Sequence, residues 1–294
     1  MTSYKDKKLF RKLCNIVVDI VFWGCILVLV YIAGLIFLFA SFSVRSGSMH
    51  PTLMGGDVVF VWKPILGARL FNIFDALDGK QVTVRRLPGL RKIRHNDVLV
   101  FHIPYPKSSG QMEMHLLKYY VKRCVGLPGD TIEVRDGFYH VGSAALPPGN
   151  VESQQRLSGR DSASFSKEMY LTFPHDSVLQ WNILHFGPMY IPAKGDVLPM
   201  NRTNFVLYGK LVEWERQATL TFRNDTVFMD GRPLSSYSFE KNYYFMAGDW
   251  TEDSQDSRYW GLAPEEYIVG KAPIIWKSKD PHTGKMRWER VFKQ

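Results

Sequence analysis

Cysteine is nearly absent from this chain, and its few copies are badly placed for pairing. Of the three, Cys14 and Cys25 lie in or beside an N-terminal apolar run, which leaves Cys124 alone in the remainder. An internal disulfide framework is thereby excluded, and the remainder must be held by its own core. No C-x-x-C or H-E-x-x-H occurs, and the eight histidines are scattered. A zinc site is therefore not expected. No internal repeat is evident. Acidic residues are outnumbered, 28 against 37 Lys and Arg, for a formal net charge of +9.

What the chain does have is unbroken hydrophobicity near its start. Residues 20–41 are 22 positions without a charge, a helix of about 33 Å at 1.5 Å per residue, enough to cross a bilayer. Before it stand Lys5, Lys7, Lys8, Arg11 and Lys12 against Asp6 alone, five positive charges less one, or +4. Cytoplasmic flanks carry such excess, so residues 1–19 are expected in the cytoplasm and everything after residue 41 on the outer side. A cleavable signal peptide would have a shorter apolar core and a small-residue cleavage site, so an uncleaved anchor is expected. Nucleic acid would require the other compartment and is not an expected partner. The lipid bilayer is.

Beyond the anchor the pattern is mainly β. Short apolar or alternating runs at residues 57–63, 97–104, 115–126 and 268–277 read as strands. Turn signals at Asp136-Gly137, around Arg223-Asn224-Asp225 and at Asp230-Gly231 read as hairpins or tight turns. Residues 65–77 are apolar for a connection, either a short core helix or a segment dipping into the outer leaflet. Lys80, Arg85, Arg86, Arg91, Lys92 and Arg94 follow, as a solvated hairpin or a contact with anionic lipid. Residues 143–167 shift to Pro, Ser, Gln, Gly and Arg and read as a mobile loop. The stretch on to residue 242 reads as further short strands.

Three motifs carry chemistry. Residues 42–53 read FSVRSGSMHPTL, residues 120–130 YVKRCVGLPGD and residues 247–261 AGDWTEDSQDSRYWG. Peptide hydrolysis without metal or histidine needs an activated nucleophile and another base. A lysine can serve only when neutral, so its pKa must fall two or more units from about 10.4, at a cost on the order of 3 kcal/mol. Desolvation does this by penalising the ammonium. On a strand Lys122 shares a face with Tyr120 and Cys124, while Arg123 faces the other way. Lys118 is on the same face but about 13 Å off at strand spacing. Lys122 is the better candidate.

Together, in this order, the three motifs resemble those of the type I signal peptidases, bacterial membrane-anchored serine endopeptidases with a Ser/Lys dyad. The resemblance covers residues 42–76 and 98–134 loosely and 242–276 well. It implies Ser48 as nucleophile and Lys122 as general base. Ser46 matches the hydroxyl that joins the Ser48 N–H in the oxyanion hole, and Ser254 the hydroxyl that orients the lysine amine. Asp249 with Arg123 and Asp256 with Arg258 match supporting ion pairs. Phe42, Val44, Met49, Leu53, Tyr120 and Val121 are placed to line shallow pockets for small side chains of a signal peptide. No cofactor or metal is implied, and a monomer should suffice.

The implied architecture is an anchor (20–41) and a mainly β catalytic domain in two parts, 42–136 and 243–294, around an inserted β-rich domain, 137–242. The implied activity is removal of signal peptides from secreted preproteins at the outer (periplasmic) face of the bacterial cell membrane. Three departures stand out: Arg45 replaces a proline that commonly precedes Ser-x-Ser, Gly248-Asp249-Trp250-Thr251 replaces the common G-D-N-R, and the insertion is long and unfamiliar. The rival readings are a tethered, non-catalytic binding factor on the same fold and a self-cleaving Ser/Lys regulator. The anchor and the lack of a DNA-binding module argue against the latter.

Overall fold

The charge-free run and its basic flank form one helix, α1 (Tyr4–Phe37), in a computed structural model that describes residues 4–72, 74–75, 82–104, 112, 114 and 118–293. Its Arg11–Phe37 part is long and apolar enough to span a membrane and is not buried against the rest of the protein. The helix stops four residues short of the apolar run's end, because Phe39–Ser43 form strand β1. Lys63 makes the stop: its amine reaches the carbonyls of Leu35 and Ile36 at 2.7 and 3.0 Å, and its N–H donates to Leu38 at 3.0 Å. Terminal helix carbonyls, which have no partner within the helix, are satisfied this way.

β1 pairs with β2 (Asp57–Trp62). The ribbon β3 (Arg69–Leu70) and β4 (Arg85–Arg86) follows, then β5 (Val98–His102) and β6 (Tyr119–Gly126). The chain returns late through β15 (Tyr243–Ala247), β16 (Ala263–Pro264) and β17 (Ile268–Ser278). These build a seven-stranded antiparallel sheet in the order β1-β2-β17-β5-β6-β15-β16. β5 shows how both faces are used: Val98 and Val100 pack with Met49, Leu53 and Val59, while Leu99 and Phe101 pack with Ile65, Cys124 and Met246. Alternation along the strand sends neighbouring side chains to opposite layers.

Between β6 and β15 the chain adds a sheet of β7 (Thr131–Arg135), β8 (Phe138–Val141) and β9 (Phe186–Tyr190). It then forms β10 (Val197–Pro199), paired with β14 (Ser236–Ser238), and a meander of β11 (Leu220–Arg223), β12 (Thr226–Met229) and β13 (Arg232–Pro233). The turns at Asp136-Gly137, Asn224-Asp225 and Asp230-Gly231 all have positive φ at both residues, the backbone that suits two-residue hairpins. The core here includes Val125, Ile132, Phe186, Leu211, Phe245 and Tyr267, so packing is continuous across residues 137 and 242.

Two local expectations fail. The expected loop at 143–167 contains α2 (Val151–Ser158), capped by the Asn150 side chain on the Ser153 N–H at 3.0 Å. Its polar composition hides a helix that buries only Ser153, Gln154 and Leu157. The expected short strands omit α3 (Arg202–Arg216), which buries Leu207, Tyr208, Leu211 and Val212 at helical spacing. Thr203, Val206 and Tyr208 favour strands locally and Gly209 weakens a helix, so packing overrides propensity. In the 65–77 stretch Ile65 and Leu66 are buried under the sheet without helix and Arg69–Leu70 are a strand, whereas Phe74–Asp75 are helical with Phe74 exposed; residues 73 and 76–77 lie outside those described.

Candidate active site

Lys122 enters the site from β6, where it faces Leu99 of β5 across the ladder. Alternation buries Lys122 and Cys124 and leaves Arg123 half-buried, as expected from the strand period. The Lys122 side chain is 1% exposed. Burial pulls its ammonium down from the ordinary lysine range to about 8; Asp256 opposes the shift and Arg258 adds to it. Lys118 is exposed. Cys124 is fully buried, and burial pushes its thiol well up, which leaves it a packing residue.

Ser48 sits in a turn closed by the His50 N–H on the Gly47 carbonyl at 2.8 Å. β1 approaches on one side, and buried Met49 pulls the turn onto the sheet core. Ser48 Oγ lies 2.6 Å from Lys122 Nζ. Ser254 Oγ lies 2.8 Å from the same amine. Ser46 Oγ is 3.4 Å from Ser48 Oγ, and the Ser48 N–H has no acceptor among the described residues. Three hydroxyls thus gather around one deeply buried amine, with the Ser48 N–H beside them on the chain.

Behind this point two carboxylates are clamped. Asp249 accepts from Arg123 Nε and Nη2, both at 2.6 Å. Asp256 accepts from Arg258 Nε and Nη2, both at 2.9 Å, and from the Gly248 N–H at 3.0 Å. Asp256 and Arg258 are wholly buried. Burial works against both charges, yet each partner outweighs it: Asp256 stays below its ordinary value and Arg258 above. The pair fixes the turn that carries Ser254 without touching the amine.

Val44, Met49 and Leu53 are buried in one core layer, with Phe42 and Val121 packed against it. Tyr120 joins the other layer and puts its ring 5.7 Å from Lys122 Nζ. The six positions proposed for small-residue pockets are therefore split between two layers. Among the described residues no group of His, Cys, Asp or Glu could hold a metal ion.

Sequence reading missed three supports. A Cβ on Gly248 would lie 2.1 Å from Ser254 Oγ and 2.5 Å from the Ser48 carbonyl, so only glycine fits. The Trp250 N–H donates to that carbonyl at 3.0 Å. Ser153 of α2 accepts the Thr251 N–H at 2.8 Å, and Arg156 pairs with Glu252 at 3.0 Å. The Gly248 requirement is hinted at by its G-D motif; the α2 contacts leave no local signal.

The geometry can be set beside known proteins. The family described as signal peptidase, peptidase S26, matches residues 17–277. Signal peptidase I of Buchnera aphidicola subsp. Acyrthosiphon pisum is 27% identical over 248 residues, 83% of this chain and 70% of that protein. The Schizaphis graminum subspecies enzyme is 29% identical, covering 82% and 69%. That of Helicobacter pylori is 25% identical, covering 90% and 89%. A crystal structure of a signal peptidase I from Enterococcus faecalis covers 62% of this chain and 98% of its own, at 18% identity and a TM-score of 0.29. With the family match running from within α1 to β17, the chain belongs to the peptidase S26 signal peptidases and is a serine endopeptidase.

Proposed function

We propose that this protein cuts N-terminal signal peptides from secreted preproteins, with Ser48 as nucleophile and Lys122 as general base. One observation carries the reading: a lysine amine buried to 1% exposure stands 2.6 Å from a serine hydroxyl. Neutral Lys122 takes the Ser48 Oγ proton as Oγ attacks the scissile carbonyl. The oxyanion is met by the Ser48 N–H and the Ser46 hydroxyl, donors of a kind worth about 3 kcal/mol each. The Lys122 ammonium then protonates the departing amine. Water, deprotonated by the same amine, releases the signal peptide from Ser48. Ser254 holds the amine in position, and Asp249–Arg123 and Asp256–Arg258 hold the frame.

Open strand edges support the substrate reading. Among the described residues β1 pairs on one side only, with β2, and β15 pairs with β6 only from Arg123 onward. Residues 119–122 and 39–43 therefore each keep a free edge for an extended peptide, which would add as a strand. Phe42, Val44 and Val121 with buried Met49 and Leu53 would limit side chains there to small ones. α1 would hold the site at the outer face of the cell membrane, N-terminus in the cytoplasm, and a single copy carries every group named.

The test is cleavage of a preprotein with alanine at the first and third positions before the bond. Ser48→Ala and Lys122→Ala should each abolish it, with the fold intact by circular dichroism. Cleavage surviving either change refutes the assigned roles. No cleavage by the unaltered protein across a panel of signal peptides would leave a tethered binding factor.

A further inference from the structure

Trp250 and His50 flank the nucleophile where neither the dyad nor the two open strand edges reach. The Trp250 indole runs so close over Gly47 that a Cβ there would meet its Cζ3 at 3.3 Å. The His50 ring lies 5.7 Å from the Trp250 ring, tilted by 54°. His50 and Trp250 are each half-buried, and Gly47 beside the indole is exposed. Holding the loop does not require the indole. Trp250 donates its backbone N–H to Ser48, Thr251 is tied to Ser153, Glu252 to Arg156, and Asp253 N–H donates to the Trp250 carbonyl at 3.0 Å.

Ser48 occupies the corner of its turn. The chain arrives along β1 and leaves through His50, whose N–H closes the turn on Gly47. The acyl half of a bound peptide lies along residues 39–43 and 119–122, the approach side. The amine half must therefore leave on the other flank, past His50 and Trp250. We propose that these two rings form the subsite for the first residue on the departing, mature side of the cut, favouring an apolar or aromatic side chain over a carboxylate. The indole face is apolar and carries negative electrostatic potential, so it attracts hydrocarbon and aromatic edges and disfavours anions. The inference rests on Ser48 being the nucleophile and deepens that reading.

The experiment uses the full chain in detergent and peptides with fixed alanines before the bond and Phe, Leu, Gly or Asp directly after it. The unaltered protein should cleave the Phe and Leu peptides with kcat/KM about three- to tenfold above Gly and Asp, the scale of one aromatic contact. Trp250→Asn should level the series, Trp250→Phe should restore part of it, and His50→Ala should weaken it. Selectivity for alanine over valine before the bond should not move, whereas a merely structural role would disturb both. Equal rates for the four peptides with the unaltered protein overturn the inference even if no variant folds. An unchanged series in Trp250→Asn and His50→Ala overturns it too. Cleavage persisting in Ser48→Ala would instead sink the nucleophile assignment, a distinguishable failure.

Discussion

Lys122 shows what the proposed general base costs at a single residue. Its folded pKa of about 8 lies below the ordinary lysine value of 10.5. Below pH 8 the amine is protonated in folded and unfolded chains alike, so the penalty for burying the ammonium is fully present. As pH rises from about 8 to 10.5 the folded state loses its proton first and the penalty is relieved. Lys122→Met should therefore be more stable than the unaltered protein at pH 7, by up to about 3 kcal/mol. That gain should shrink as pH climbs past 8. Denaturant melts at pH 7 and pH 10 check it; an equal difference at both would contradict the assignment. Activity should follow the same amine. With chemistry rate-limiting, kcat/KM for peptide cleavage should rise with pH to a midpoint near 8 and level above it. A profile flat from pH 5 to 9 would count against a lysine base.

At the scale of elements, the decisive piece is the turn between β15 and β16. It has to pass between Ser254 and the Ser48 carbonyl, and Gly248 is the residue at the pinch. Gly248→Ala places a methyl group inside contact distance of both. It should push Ser254 off the amine and lower kcat at least 100-fold, on the scale of about 3 kcal/mol for a misplaced catalytic group. KM for a long peptide should change far less, because the strand edges that bind it are untouched. Steady-state kinetics separate the two; a normal kcat in this variant would mean that the turn tolerates more room than the packing allows. The same turn leans on α2 through Ser153 and Arg156. The 137–242 stretch thus touches the frame of the candidate site through Thr251 and Glu252.

Across the whole molecule, the C-terminal segment closes the sheet from behind. Asp57, wholly buried at the start of β2, accepts from Ser278 Oγ at 2.6 Å and from Arg290 Nη2 at 2.7 Å, with Arg287 at 3.4 Å. Arg290 also reaches the Thr52 carbonyl at 3.0 Å, close behind the serine motif. Burial alone would raise the Asp57 carboxyl, but Arg290, Ser278 and the Met54 N–H outweigh it and hold it low. The stability it contributes is complete above the unfolded carboxyl value of about 4 and fades as pH falls through its own lower pKa. Asp57→Ala leaves two arginines without their buried carboxylate and should cost about 3–5 kcal/mol. Denaturation of the full chain in detergent at pH 7 measures this; a loss under about 1 kcal/mol would show that the arginines find water instead.

Much of this was open to reading from the chain itself. The charge-free run and its basic flank are one-dimensional properties, so helix α1 and its membrane-crossing length follow from composition. The hairpins at Asp136-Gly137 and Asn224-Asp225 follow from which residues accept positive φ. Strand alternation alone put Lys122 on a buried face. The end of α1 did not follow, since Lys63, far along the chain, supplies the hydrogen bonds that stop it. Nor did α2 and α3: one is polar and the other rich in strand formers, and both are helical because of what they bury against. The site depends on contacts 74 and 132 residues apart, Ser48 to Lys122 and Lys122 to Ser254. Residue types at those positions could name the candidates. Only the folded sheet could bring them within 3 Å and dry the amine, because distance and desolvation are properties of packing and not of the chain's order.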